Sequence, residues 1–308
     1  GFYSPQSLVD DARRHGVTVR RPDINASAAK ATLEPAAEVS AGPRPDHARA
    51  GDPARPGHAR AAGGADPATW GIGGPVVRLG LSSVRTVGEA VAEAIVAERE
   101  RGGPYRDLVD LARRMAEAGT PLTTAQLEAL ATADAFACFG LTRREALWAA
   151  GAAAQERPDR LPGTVSGAAP PTLPGMDDVD RLVADVWATG LSPDSHPVRF
   201  IRGRLDELGA VPIGSLPQVE PGRRIRVGGI VTHRQRPATA GGITFMNLED
   251  ETGMLNVTCS PGLWQRYRKV ARTSAALLVR GVLERAEGVT NLRADRLDPV
   301  EVPARLGS

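Results

Sequence analysis

The stretch "ITFMNLEDETGMLNVTCSPGLW", Ile243 to Trp264, decides how the second half of this chain is read. It holds two short apolar runs joined by an acidic turn, and it closes on Pro261 and Gly262, where a helix begins. Two period-two runs around a short turn read as paired strands. Phe245 and Leu248 stand three apart, so strict alternation fails in the first run. A bulge between them would return both to the interior, and small barrels use bulges to bend. Working outward from this hairpin, the spacing predicts five strands, at about 224–233, 243–249, 254–259, 276–284 and 289–297, with one short helix at about 261–270.

Five strands with a helix between the third and fourth is the order of the OB-fold, a partly open Greek-key barrel. Upstream the pattern is helical, so the expected class is α+β: a helical region followed by a C-terminal barrel. Residues 4–16 read as a helix capped by Ser4, with Pro5 in its first turn and Gly16 at its end. "VTVRRPDINAS" reads as a short strand and a turn, and "VVRLGLSS", from Val76, as another strand. Helix follows helix from Thr86 to about Glu156; Val87, Val91 and Ile95 line one face of the first. Thr123 with Gln126, and Thr142 with Glu145, are capping-box pairs. "MDDVDRLVADVWATG" is one more helix, with Leu182, Val183 and Val186 as its apolar face. Residues 35–69 contain six prolines, five glycines and almost no large apolar side chain, which predicts a disordered insertion. The expected organisation is 1–34 with 70–83, the insertion 35–69, a helical region 84–156, a linker and connector 157–210, and the barrel 211–308.

Composition removes several classes of function. Two cysteines, Cys138 and Cys259, make neither a disulfide framework nor a zinc cluster and read as reduced packing residues, and five scattered histidines show no ligand spacing. Lys30 and Lys269 are the only lysines, and neither sits in the Gly-Lys-Ser/Thr setting of a phosphate-binding loop. No apolar run reaches the roughly 18 residues of a membrane span. There is no signal-peptide pattern, so a cytoplasmic protein is expected. The chain starts at Gly1, which reads as part of something longer. The pairs Asp10–Asp11 and Asp177–Asp178 and the run Glu249–Asp250–Glu251 read as surface or capping charge, not as a two-metal carboxylate set.

Net charge is +2 for the whole chain, yet residues 223–297 hold twelve arginines, one lysine and six carboxylates, about +7. A basic groove tracks a phosphate backbone, and aromatic side chains stack its bases. Arg234 and Arg236 follow the first barrel strand, Arg285 sits at the last turn and Arg293 on the fifth strand, so these four are the candidate single-strand contacts. Phe245 is the candidate stacking residue, although its position reads first as core; Trp264 and Tyr267 read as packing the helix on the barrel. A second candidate is "SSVRTVGEAVAEAI": a Gly at a turn before a helix lets backbone N–H groups face an anion.

At this point the residues resemble a family. "GFYSPQSLVDDARRHGVTVRRPDIN" is similar to the end of the fingers region of bacterial DNA polymerase III alpha subunits, the C-family. "VRLGLSSVRTVGEAVAEAIVAERERGGPYRDLVDLARR" resembles the helix-hairpin-helix that follows, and "TGLSPDSHPVRFIR" the connector. "VGGIVTHRQRPATAGGITFMNLEDETGMLNVTCSPGLWQRYR" resembles that family's OB domain. "TADAFACFG" and "GLSPDSHPVRF" resemble the error-prone branch of damage tolerance. The resemblance implies that the full protein synthesises DNA across lesions and that its Mg²⁺-binding palm lies upstream of Gly1, so this chain would hold DNA without catalysing its synthesis. Arg85, Thr86, Val87, Gly88 and Glu89 would be the duplex-phosphate hairpin. Asp134 stands where a second hairpin would carry Gly, which makes that hairpin structural. "PPTLPGMDD" lacks the Gln and aromatic anchors of a clamp-binding peptide, and this branch implies recruitment through an inactive polymerase-like accessory protein. Two other readings stay open from the residues: an anticodon-binding fragment of an aminoacyl-tRNA synthetase, which "FMNLEDETG" also resembles, and a stand-alone OB-fold interaction module. In the synthetases the barrel precedes the catalytic domain.

Overall fold

A computed structural model describes residues 4–35, 71–155, 171, 173–286 and 288–301. The expected insertion and most of the expected linker lie outside these residues. The chain divides into two compact units, one of residues 11–173 and one of 1–10 with 174–308. The first helix, α1 (Pro5–Arg14), crosses this division in sequence.

In the unit of residues 11–173, β1 (Val19–Arg20), β2 (Thr32–Glu34) and β3 (Val76–Arg78) form a small sheet in the order β1-β3-β2. The sequence pattern did not reveal β2; its Glu34 is fixed by Arg20, at 3.2 Å, and by Arg78. Four helices follow: α2 (Glu89–Gly102), α3 (Leu108–Glu117), α4 (Thr124–Thr132) and α5 (Arg143–Ala153). Their shared interior holds Ile95, Leu111, Met115, Leu127, Leu130 and Phe136, none more than 1% exposed. Both expected capping boxes form, Thr123 with Gln126 and Thr142 with Glu145. On α2 the buried stripe is Ala92, Ile95 and Glu98, so Val91 is only half-buried. Glu98 can be buried because Arg114 reaches it at 3.1 Å and Arg101 also pairs with it.

In the other unit, α6 (Asp178–Thr189) is capped by Asp177 and ends on Gly190. Its buried residues are Leu182, Ala184, Asp185 and Ala188, whereas Val186 and Trp187 face outward. The expected apolar face containing Val186 is therefore corrected: Asp185 takes an inward position because Ser192 satisfies its carboxylate at 2.8 Å. After α7 (Arg202–Glu207), the barrel strands are β4 (Arg224–Gln235), β5 (Thr244–Asp250), β6 (Gly253–Cys259), β7 (Ala276–Ala286) and β8 (Val289–Pro299). They close in the order β4-β5-β6-β8-β7, and α8 (Pro261–Arg266) and α9 (Arg268–Thr273) lie between the third and fourth strands. This is the OB-fold order expected from the sequence. The core gathers Val227, Met246, Leu248, Val257, Cys259, Leu283 and Leu292, with Trp264 and Tyr267 packed against it. Gly228 admits the connector: a Cβ there would stand 2.4 Å from Leu205 of α7, too close for any side chain.

Two expectations about this unit fail. No bulge separates Phe245 from Leu248; the inward residues of β5 alternate cleanly as Thr244, Met246 and Leu248, leaving Phe245 outside. The register shift falls instead on the neighbouring strand, between Val231 and His233. The acidic residues are not all surface charge either. Asp10, Glu249 and Asp250 are at most 5% exposed. Ser7 donates to Glu249 at 2.8 Å and Gln6 to Asp10 at 2.8 Å. Asp250 accepts from Arg202, the Ile213 amide, the Thr252 amide and hydroxyl, and the Gly253 amide. The burial of Asp250 is tolerated because its lone pairs are satisfied in this way. Cys259 is a core residue as expected, but Cys138 is exposed.

Candidate nucleic-acid interfaces

Cross-strand register sets the outer face of the barrel. Directly opposed residues point the same way, so Gln235, Phe245, Thr258 and Arg293 form one outward row across β4, β5, β6 and β8. His233, Asn247, Asn256 and Asn291 form the next row. The interior row between them is Arg234, Met246, Val257 and Leu292. The two outward rows make a patch of one aromatic ring, three asparagine amides, a glutamine, an imidazole and a guanidinium. Phe245 is 38% exposed. The side-chain amides of Asn256 and Asn291 make no hydrogen bond to protein among the described residues. This is the strand 2–3 face on which OB-folds take oligonucleotides. Exposed rings stack bases, and side-chain amides can both donate to and accept from base edges.

The four candidate arginines do not act together. Arg236 is exposed in the loop after β4 and has no ion pair among the described residues. Arg293 lies on the face but holds Glu284 at 2.6 Å. Arg234 shares the register of the interior row but is exposed at the strand's end, and its guanidinium donates to the carbonyls of Ala271 at 2.7 Å and Ser274 at 2.5 Å, closing the C-terminal end of α9. Burial lowers its pKa. Arg285 donates to the carbonyl of Leu216 at 3.0 Å. Sequence position alone therefore suggested a cluster of four, while the structure leaves Arg236 and Arg293 at the face. The three asparagines were missed; their signal was an Asn at the same outward row position on three neighbouring strands, legible only once the pairing is known. Much of the remaining positive charge is neutralised locally. Arg224 and Arg280 both hold Asp295, at 2.7 and 2.6 Å. Burial pushes that carboxyl up, yet the hydrogen bonds from Arg280 and Arg224 leave it below the usual range.

The hairpin candidate lies in the other unit. Val87 is 1% exposed and anchors the turn, and Arg85 and Gly88 are exposed. The residue with the unusual backbone is Thr86, at φ 66, not Gly88, whose φ is an ordinary −67. A Cβ at Gly88 would meet nothing within 4 Å, so the space beside the start of α2 is open there. Among the described α-helices of this unit, α2 is the one without a side-chain cap; Asp107, Thr123 and Thr142 cap α3, α4 and α5. Its first-turn N–H groups are thus left to an outside acceptor. Glu89 is held by Lys30 at 2.6 Å, and that hydrogen bond and charge raise the lysine's pKa. At the second hairpin Asp134 occupies a left-handed position, φ 67, and pairs with Arg143 at 3.5 Å and Arg21 at 4.0 Å. The capping box on α5 closes that helix start from within.

A chain with these two surfaces is a helix-hairpin-helix module followed by an OB-fold module, and family comparison agrees. The helix-hairpin-helix motif matches residues 16–146, and the OB-fold nucleic acid binding domain matches residues 225–300. The chain is 52% identical over 297 residues to an error-prone DNA polymerase of Mycolicibacterium paratuberculosis, covering 96% of this chain and 23% of that protein. It is 51% identical over 305 residues to that of Nocardia farcinica, again 96% and 23%. It belongs to the error-prone DNA polymerase family and spans about a quarter of the length of these curated relatives. Among solved structures, asparaginyl-tRNA synthetase from Pyrococcus horikoshii is similar over 30% of this chain and 23% of its own, at 18% identity and a TM-score of 0.26. No helix among the described residues is long and apolar enough to cross a membrane.

Proposed function

We propose that this chain is the DNA-holding, C-terminal portion of an error-prone DNA polymerase. The hairpin at Arg85–Glu89 takes the phosphates of duplex DNA at the uncapped start of α2. The outer face of the barrel takes the single-stranded template. Phe245 stacks a base, Asn247, Asn256 and Asn291 meet base edges, and Arg236 and Arg293 meet phosphates. The observation that carries this reading is the register that puts one aromatic ring and three amides side by side on the face of a closed barrel. Contacts of this kind tolerate many sequences, because every base offers a π-face. Such tolerance suits synthesis over damaged template, the activity we assign to the full protein; its Mg²⁺-dependent chemistry would belong to a region outside this chain. An inactive polymerase-like accessory protein is the proposed recruiting partner, and direct sliding-clamp binding is not.

Anisotropy with a labelled single strand and a labelled duplex tests the division of labour. Phe245→Ala should weaken the single strand by about 1–3 kcal/mol, the usual worth of one stacked base, and leave the duplex unchanged. Gly88→Val should do the reverse. If both variants bind both ligands like wild type while folded, the reading is wrong.

A further inference from the structure

The helices between β6 and β7 concentrate positive charge in a short stretch. Arg266, Arg268, Lys269 and Arg272 are all exposed, and none has a carboxylate within ion-pair distance among the described residues. On the strands Arg224 and Arg280 are answered by Asp295, Arg293 by Glu284 and Arg296 by Asp298, whereas Arg223, Arg226 and Arg236 share with the helix cations the lack of a carboxylate partner among the described residues. Like charges at i,i+4 repel and destabilise a helix, and Arg268 and Arg272 have that spacing on α9. Cations in a last turn suit the helix dipole, but the carbonyls at the end of α9 are already taken by Arg234. This patch also adjoins the outer face. Around Gly242, the Arg236 guanidinium and the Pro261 ring that opens α8 each stand 3.4 Å from where a Cβ would be. The exposed cation of the loop and the start of the cationic helices therefore flank the same glycine.

We infer that α8 and α9 form a second binding site, for the sugar-phosphate backbone of a single strand that leaves the outer face at Arg236. The inference rests on the single-strand reading proposed above and adds to it a path with no base contacts. Phosphates neutralise the uncompensated cations there, and the released counterions supply the binding free energy.

The test uses the 308-residue chain, a labelled 20-nucleotide single strand and a salt series. Each single-strand phosphate contact contributes roughly 0.7 to the slope of log K against log salt. The triple variant Arg268→Gln/Lys269→Gln/Arg272→Gln should make the slope shallower by about two, which weakens binding on the order of a hundredfold at 0.1 M salt. Arg268→Lys/Arg272→Lys should keep the wild-type slope. Lys269 also reports without substitution: its acetylation should slow when oligonucleotide is added, relative to the same chain without oligonucleotide. An unchanged slope in the folded triple variant while Phe245→Ala still loses affinity overturns the helix site and leaves the face standing. Loss of neither overturns the single-strand reading itself. Unprotected Lys269 under saturating oligonucleotide, or displacement of the strand by an equal concentration of poly-glutamate of matched length, also overturns the inference.

Discussion

Replacing Arg234 with alanine separates a structural arginine from a binding one. The guanidinium makes two hydrogen bonds, to the carbonyls of Ala271 and Ser274, at 2.7 and 2.5 Å. Bonds from a charged donor typically contribute about 1.5–3 kcal/mol each. The residue is partly exposed, so solvent screens both and replaces part of the loss; a total of about 2 kcal/mol is expected. In a unit of this size that lowers the melting temperature by roughly 4–8 °C. Calorimetry on the purified chain reads this directly. Salt-series anisotropy on the same variant should give the wild-type slope, because this guanidinium is already committed to the helix end. Arg236→Ala should behave in the opposite way, keeping the melting temperature and making the slope shallower by about 0.7. An Arg234→Ala chain that melts like wild type and loses slope as Arg236→Ala does would refute the assignment.

Three further outcomes follow from the same geometry. Met246→Ala, at 0% exposure in the barrel core, should cost about 2–5 kcal/mol by chemical denaturation, whereas Phe245→Ala next to it should cost under about 1 kcal/mol; equal costs would return Phe245 to the core. Thr86→Gly should stabilise its unit by about 1 kcal/mol, because glycine carries no steric cost at φ 66, and a loss of stability would contradict this. Burial pushes Glu251 up, yet its hydrogen bonds with Arg202 hold its pKa below the usual carboxylate value of 4.5. A depressed folded pKa means the stabilisation is present above pH 4.5 and is lost as pH falls through the lower folded value. Acid titration of the barrel should therefore show a destabilising arm below pH 4.5 that shrinks in Glu251→Gln; an unchanged arm would refute it.

What was legible in the sequence was what local chemistry sets. The capping boxes at Thr123 and Thr142 need partners only three residues away, and the five strand runs show their period in place. The direction of Phe245 was not legible, because the bulge that keeps the barrel in register sits on the neighbouring strand, past Val231. The commitment of Arg234 was hidden for a related reason: its acceptors lie 37 and 40 residues on. Glu249 and Asp250 looked like turn charge because the groups that allow their burial, Ser7 and Arg202, are 242 and 48 residues away. The hairpin was legible as a motif, yet the roles within it were not. Thr86 carries the left-handed turn that a reading of "VGE" gives to glycine, and Gly88 provides open space.

The central claim is that single-stranded DNA lies on the outer face of the barrel, and photo-crosslinking tests it most directly. A strand carrying 5-bromouracil at successive positions, bound to the 308-residue chain and irradiated, should yield covalent adducts that mass spectrometry maps to Phe245 and to peptides containing Asn247, Asn256 and Asn291. Adducts confined to residues 71–155, with the barrel peptides unmodified, would contradict the account.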